Sequence, residues 1–140
     1  LPNFPEIISE NIIRFILTNK ANNISTRNCK SGDLYSTIEG RQECKCFTGE
    51  GPSSFSPSAN WDVLYFLDAT DWLNKKFILY KINLSNTSLE WKNIKVNKKE
   101  TFEDQIKNKR RPRINWKSLH LQVKDYCTIV YDGYFDDIFN

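Results

Sequence analysis

Methionine is missing from this 140-residue chain, histidine occurs once, as His120, and glycine only five times. No stretch approaches the roughly 20 apolar residues that cross a bilayer as a helix, which excludes a transmembrane helix. The lone histidine lies far from the Cys44-x-Cys46 pair, and no second pair stands at zinc-ligand spacing, so a structural zinc site is not expected. No signal peptide is visible. A start at Leu1 with no methionine suggests that the true N-terminus has been removed or renumbered, which leaves room for a longer protein. Neither sign of charge prevails: 20 Lys and Arg against 17 Asp and Glu leave a formal charge of +3, too little to name a nucleic-acid partner by itself.

What is present describes one ordinary globular domain, residues 1–140. A hydrophobic fraction of 39% and a charged fraction of 26% exclude disorder, and the length suffices for a core without staples. An aromatic share of 14% is high, with core filling the default role of any single ring. Four cysteines, Cys29, Cys44, Cys46 and Cys127, together with sequons at Asn23, Asn83 and Asn86, would suit a secreted, disulfide-linked binding protein. Against that stands the placement of Cys44 and Cys46 inside a central strand. Reduced thiols and an intracellular, cytoplasmic location are therefore expected.

The chain is organised around the stretch from Ser31 to Phe55. Side chains alternate faces along a strand, so Glu43 and Lys45 share one face while Cys44 and Cys46 point to the other, where they suit packing against a helix. Asp33 arrives from the preceding segment, with Gly32 allowing a tight turn at its entry. Two carboxylates such as Asp33 and Glu43 hold a Mg²⁺ ion that keeps several waters and completes its octahedron with substrate phosphate. The cation acidifies a bound water and neutralises charge on the phosphate, and Lys45 can orient or deprotonate the attacking water. A plainer reading makes the same residues a solvated surface hairpin with one weak same-face ion pair.

Aspartate, a short spacer and Glu-x-Lys on a strand resemble the PD-(D/E)xK nuclease superfamily, and within it type II restriction endonucleases. The resemblance runs from the first helix to the strand near Tyr80, and departs at its first position, where the usual proline is Gly32. It implies an α/β restriction-endonuclease-like fold with a mixed central sheet flanked by helices. It also implies Mg²⁺-dependent, sequence-specific cleavage of double-stranded DNA, with Asp33 and Glu43 as metal ligands and Lys45 as a catalytic residue. An acidic residue of the first helix often joins such a site, and Glu10 is the candidate. A homodimer is expected if the target is a palindrome. A repair or structure-specific nuclease of the same fold is the alternative.

In chain order, Ile8, Ile12, Phe15 and Ile16 recur at helical spacing and predict a helix over residues 5–22. Short strands are predicted at 33–37 and 41–47, with a turn at Glu39 and Gly40. The Gly, Pro and Ser residues of 48–59 predict an exposed irregular loop whose Ser53 and Ser54 can reach phosphates or base edges. Apolar runs at 61–69 and 77–84 predict antiparallel neighbouring strands, with Asp62 and Asp68 in structural or rim roles. Residues 100–107 read as a short helix. The segment 108–113 reads as a basic loop broken by Pro112, and its Lys109, Arg110, Arg111 and Arg113 are the second group of DNA-binding candidates. Alternating Leu119, Leu121 and Val123 predict a late strand, residues 127–131 another, and the acidic, aromatic end from 132 either closes the fold or meets a second subunit.

Overall fold

A computed structural model describes residues 4–27, 33–49, 51–54 and 60–140, and in it a six-stranded mixed sheet separates two hydrophobic cores. Across the sheet the strands run β1 (Ser25–Arg27), β2 (Leu34–Ser36), β3 (Gly40–Phe47), β5 (Val63–Asp68), β6 (Lys76–Ile82) and β8 (Cys127–Tyr134). β3 and β5 are parallel and the other neighbours antiparallel, including the expected β5–β6 pair. The helix α1 (Glu6–Lys20) covers one face, and α2 (Phe102–Lys107) and α3 (Trp116–Gln122) lie over the other. β5 is buried on both faces, Tyr65 and Leu67 toward α1 and Leu64 and Phe66 toward α2 and α3. Such a position demands an unbroken apolar run.

The helix boundaries have local causes. The Pro5 carbonyl accepts the amides of Ile8 and Ser9, both at 3.1 Å, and Asn22 at φ 51° takes the left-handed conformation that ends α1. Asn tolerates that conformation better than most residues. α1 buries Ile12, Ile13, Ile16 and Leu17, so its apolar stripe is rotated from the expected one, and Ile8 and Phe15 stay 45% and 41% exposed. Phe15 packs instead on the rings of Phe135 and Phe139, and Ile138 is fully buried, so the C-terminal segment closes over this helix. α2 starts with a reciprocal capping box: Asp104 N–H donates to Thr101 Oγ1 at 3.2 Å and Thr101 N–H to Asp104 Oδ2 at 2.9 Å.

Two expectations fail. Residues 119–123 are not a strand: Leu119 and Leu121 lie in α3 and Val123 caps it. Asn115 Oδ1 accepts the Ser118 amide at 2.8 Å to start the helix, and Leu119 and Val123, four apart, form its buried face while Leu121 is 60% exposed. The segment after β3 is not wholly irregular either. It contains β4 (Pro52–Ser54), which pairs antiparallel with β7 (Arg113–Asn115) in a separate two-stranded ribbon. The predicted Gly32, Phe55 and Cys29 features lie outside the described residues. The described cysteines, Cys44, Cys46 and Cys127, are free thiols, and Cys44 and Cys46 pack toward α1 as expected.

The start of β3 is set by close packing. Gly40 has φ 81°, and a Cβ there would lie 2.4 Å from Asp62 Oδ2. The space left by the missing side chain admits the Asp62 carboxylate, which accepts from Arg41 N at 2.8 Å and pairs with its guanidinium at 3.1 Å. This ties β3 to β5 in parallel register, the structural role expected for Asp62.

Beside it, Glu39 accepts hydrogen bonds from Asn23 Nδ2 at 2.8 Å, Gln42 Nε2 at 3.0 Å and Tyr65 Oη, and pairs with Lys81. Burial opposes ionisation of Glu39, but hydrogen bonds from Lys81, Tyr65 and Gln42 outweigh it and hold the carboxyl below its usual value. A carboxyl with a depressed folded pKa stabilises the fold above its unfolded pKa and loses that contribution as pH falls through the folded value. Glu39→Gln is therefore expected to cost about 1–3 kcal/mol at pH 7, by chemical denaturation. The difference from wild type should shrink once pH drops below the ordinary carboxylate value of 4.5. A constant difference down to pH 3 would sink this account.

Candidate active site

The register of the β2–β3 hairpin brings the acidic residues together. Leu34 faces Gln42, so Asp33 and Glu43 are the next residues along each strand. Asp33 N–H donates to the Gln42 carbonyl at 3.1 Å, the last rung before the strands part. Among the described residues, no strand pairs with the β3 edge away from β5 beyond Gln42. Asp33 Oδ2 takes the first amide of that open edge, accepting from Cys44 N–H at 2.7 Å. The carboxylate is thereby fixed at the residue between Glu43 and Lys45.

The faces alternate as the sequence predicts. Cys44 and Cys46 pair with Tyr65 and Leu67 of the α1-side core, while Glu43 and Lys45 pair with Leu64 and Phe66 of the other. Glu43 is only 7% exposed. Burial above all, then a hydrogen bond and like charge from Asp33, push its carboxyl up to about 8, against the pull of Lys45 and Arg111. Glu10 reaches the same place from α1. Burial and then the Asp33 charge raise its pKa, while Arg27, 3.9 Å away, works against them. Burial above all, then the charges of Asp33, Glu10 and Glu43, push the half-buried Cys44 thiol well above its usual value.

Glu10, Asp33 and Cys44 border a cavity of ≈ 740 Å³ that is also lined by Glu6, Lys45, Ser53 and Arg111, while Glu43 lies buried behind its Asp33 side. Among the described residues no group of three or more His, Cys, Asp or Glu side chains is arranged to hold a metal ion. The Asp33–Glu43 pair does fit a hard divalent cation that takes two protein oxygens and keeps its other ligands as water or phosphate. Their mutual repulsion, seen in the raised Glu43 pKa, is what such a cation relieves.

The DNA-binding candidates fall into different settings. Ser53 pairs with Ile114 and Ser54 with Arg113 across the β4–β7 ribbon, so the Ser-containing segment and the end of the basic one form a single element. Arg113 is exposed, with its amide donating to Gln105 Oε1 at 3.3 Å. Lys109 sits at φ 56° just after α2, Arg110 is ion-paired with Glu100, and Arg111 turns to the cavity. The sequence reading did not single out Glu6 or Arg27. Glu6 stands one helical turn before Glu10, and that i,i+4 spacing carries the signal for it. Arg27 meets Glu10 only through the fold, and no local pattern marks it.

The family described as Bsp6I restriction endonuclease matches residues 2–123. The chain is 31% identical over 123 residues to the type II restriction enzyme Bsp6I of Bacillus sp. (strain RFL6), an alignment covering 88% of this chain and 68% of that protein. No solved structure matches.

The Glu43 environment has a measurable consequence in metal-free buffer. A carboxyl whose folded pKa is raised above the unfolded value destabilises the fold as pH climbs from about 4.5 toward 8. Glu43→Gln should thus melt near wild type at pH 5 and be more stable by roughly 1–2 kcal/mol at pH 8.5, a figure discounted for solvent reaching the cavity. Equal melting differences at both pH values would refute the assignment.

Proposed function

The chain belongs to the Bsp6I restriction endonuclease family, and on that premise we propose that it is a type II restriction endonuclease. It hydrolyses phosphodiester bonds of double-stranded DNA at a short specific sequence, with Mg²⁺ held by Asp33 and Glu43. The observation that supports this best is the Asp33 carboxylate fixed on the Cys44 amide, between Glu43 and Lys45, in the wall of a cavity with room for a phosphodiester. When bound, Mg²⁺ supplies charge neutralisation at the phosphate and lowers the pKa of water.

The remaining work belongs to the protein. Asp33 is held in place by the backbone and needs no reorganisation as charge develops. Lys45, on the Glu43 face of β3, orients the attacking water and stabilises negative charge on the phosphate. Glu10 hydrogen-bonds water at the edge of the site, its own charge eased by Arg27. Ser53, Ser54, Lys109, Arg111 and Arg113 contact DNA, and Arg110 adds its charge to that face while paired with Glu100. A two-stranded ribbon such as β4–β7 is of a size that enters the major groove. The enzyme acts inside the cell, as one nuclease domain per chain, and as a homodimer on a palindromic target.

The direct test is incubation of a mixed-sequence plasmid with Mg²⁺, with EDTA, and with Lys45→Ala protein in Mg²⁺. Discrete fragments are expected only in the first, with a loss of at least about 100-fold for the variant. Sequencing the fragment ends gives the site. Cutting at DNA ends or junctions regardless of sequence would favour a repair or structure-specific nuclease. No cutting by folded protein across several metals and DNA sources would overturn the nuclease reading. Within the basic segment, Arg113→Ala should weaken duplex binding about 5–10-fold and reduce its salt dependence by about one ion, as gel shifts at several salt concentrations would reveal. Arg110→Ala should weaken it less, because its cation is already paired.

A further inference from the structure

We propose that Arg111 is a catalytic residue that grips the phosphate being cut, not one more cation on a DNA-facing loop. The inference rests on the nuclease reading and deepens it. Among the described residues that border the cavity, Lys45 and Arg111 are the cationic ones, sharing it with Glu6, Glu10 and Asp33. Two neighbouring cations are engaged elsewhere, Lys107 lying 3.9 Å from Glu103 and Arg110 paired with Glu100, and Lys109 and Arg113 do not border the cavity. The Arg111 guanidinium forms no hydrogen bond or ion pair with any described residue. Its charge nonetheless reaches Glu43. A cation that shares a cavity with acids, without pairing with one of them, leaves its donors available to an anion.

The backbone holds it there. Arg110 N–H donates to the Gln105 carbonyl at 2.9 Å, and Arg113 N–H to the Gln105 side chain at 3.3 Å, so one buried residue of α2 anchors the chain on both sides of Arg111. Pro112 is buried, and a residue before proline is confined to extended conformations, which limits the directions in which Arg111 can leave the chain. Beyond Pro112 the chain enters β7 and is tied to β4. A planar guanidinium presents two parallel donors to a phosphate. Sharing the cavity with Asp33 and close enough for its charge to act on Glu43, it holds the non-bridging oxygens and meets the charge that grows on them during displacement.

The test uses the duplex identified by plasmid cleavage, with single-turnover rates at saturating protein in Mg²⁺ and equilibrium binding in Ca²⁺. Arg111→Ala should slow cleavage about 100-fold or more while changing the binding constant less than about threefold. Arg111→Lys, which keeps the charge but not the fork, should recover part of the rate. A duplex with a neutral methylphosphonate at the cut position should slow the wild-type enzyme, and Arg111→Ala should add little further loss on that duplex. Lys92→Ala, the control at an exposed lysine away from the cavity, should leave both the saturated rate and binding nearly unchanged. A wild-type saturated rate for Arg111→Ala with weakened binding would overturn the proposal alone, as would full additivity on the neutral duplex. An inactive wild-type protein would take the nuclease reading down with it. Arg111 is exposed, and melting curves for each variant verify that the fold is kept.

Discussion

One backbone amide organises the candidate site. A strand edge that loses its neighbour exposes donors that must find partners, and the Cys44 N–H finds the Asp33 carboxylate at 2.7 Å. The same contact closes off the first unpaired donor of β3 and fixes an acid between Glu43 and Lys45. At that amide the Asp33 carboxylate takes the place that a carbonyl holds along a paired strand.

The burial of Glu43 follows from the same geometry. It lies on a strand whose other edge pairs with β5, a strand packed on both faces, so water has little access to it. A buried acid beside another acid is unfavourable by itself, and the fold sustains it because the rest of β3 is held firmly. Gly40, Asp62 and Arg41 clamp its beginning, and Glu39 is tied to Asn23, Gln42, Tyr65 and Lys81. Strain at one end of the strand is balanced by dense hydrogen bonding at the other.

Much of this was readable in the sequence because it depends on short-range periodicity. Alternation along β3 separates Glu43 and Lys45 from Cys44 and Cys46, and an unbroken apolar run marks β5. The mixed sheet with helices on both faces is the architecture those patterns predict, and the family match agrees with the resemblance carried by Asp33, Glu43 and Lys45. Failure came where two patterns competed or where pairing was distant. Leu119, Leu121 and Val123 fit a strand by alternation, while Leu119 and Val123 alone fit a helix, and the Asn115 cap decides between them. The β4–β7 ribbon joins three-residue strands far apart in sequence, too short to show a period. Which cation of the basic segment turns inward depends on Gln105 and Pro112, and a run of Lys and Arg cannot display that choice.

The ribbon also has a mechanical side. β4 follows β3 closely, and β7 begins two residues after Arg111, so the hydrogen bonds between them yoke Ser53 and Arg111 into one stiff lever. The far wall of the cavity therefore cannot yield one residue at a time. Any tilt of the ribbon carries a hydroxyl and a guanidinium together relative to Asp33.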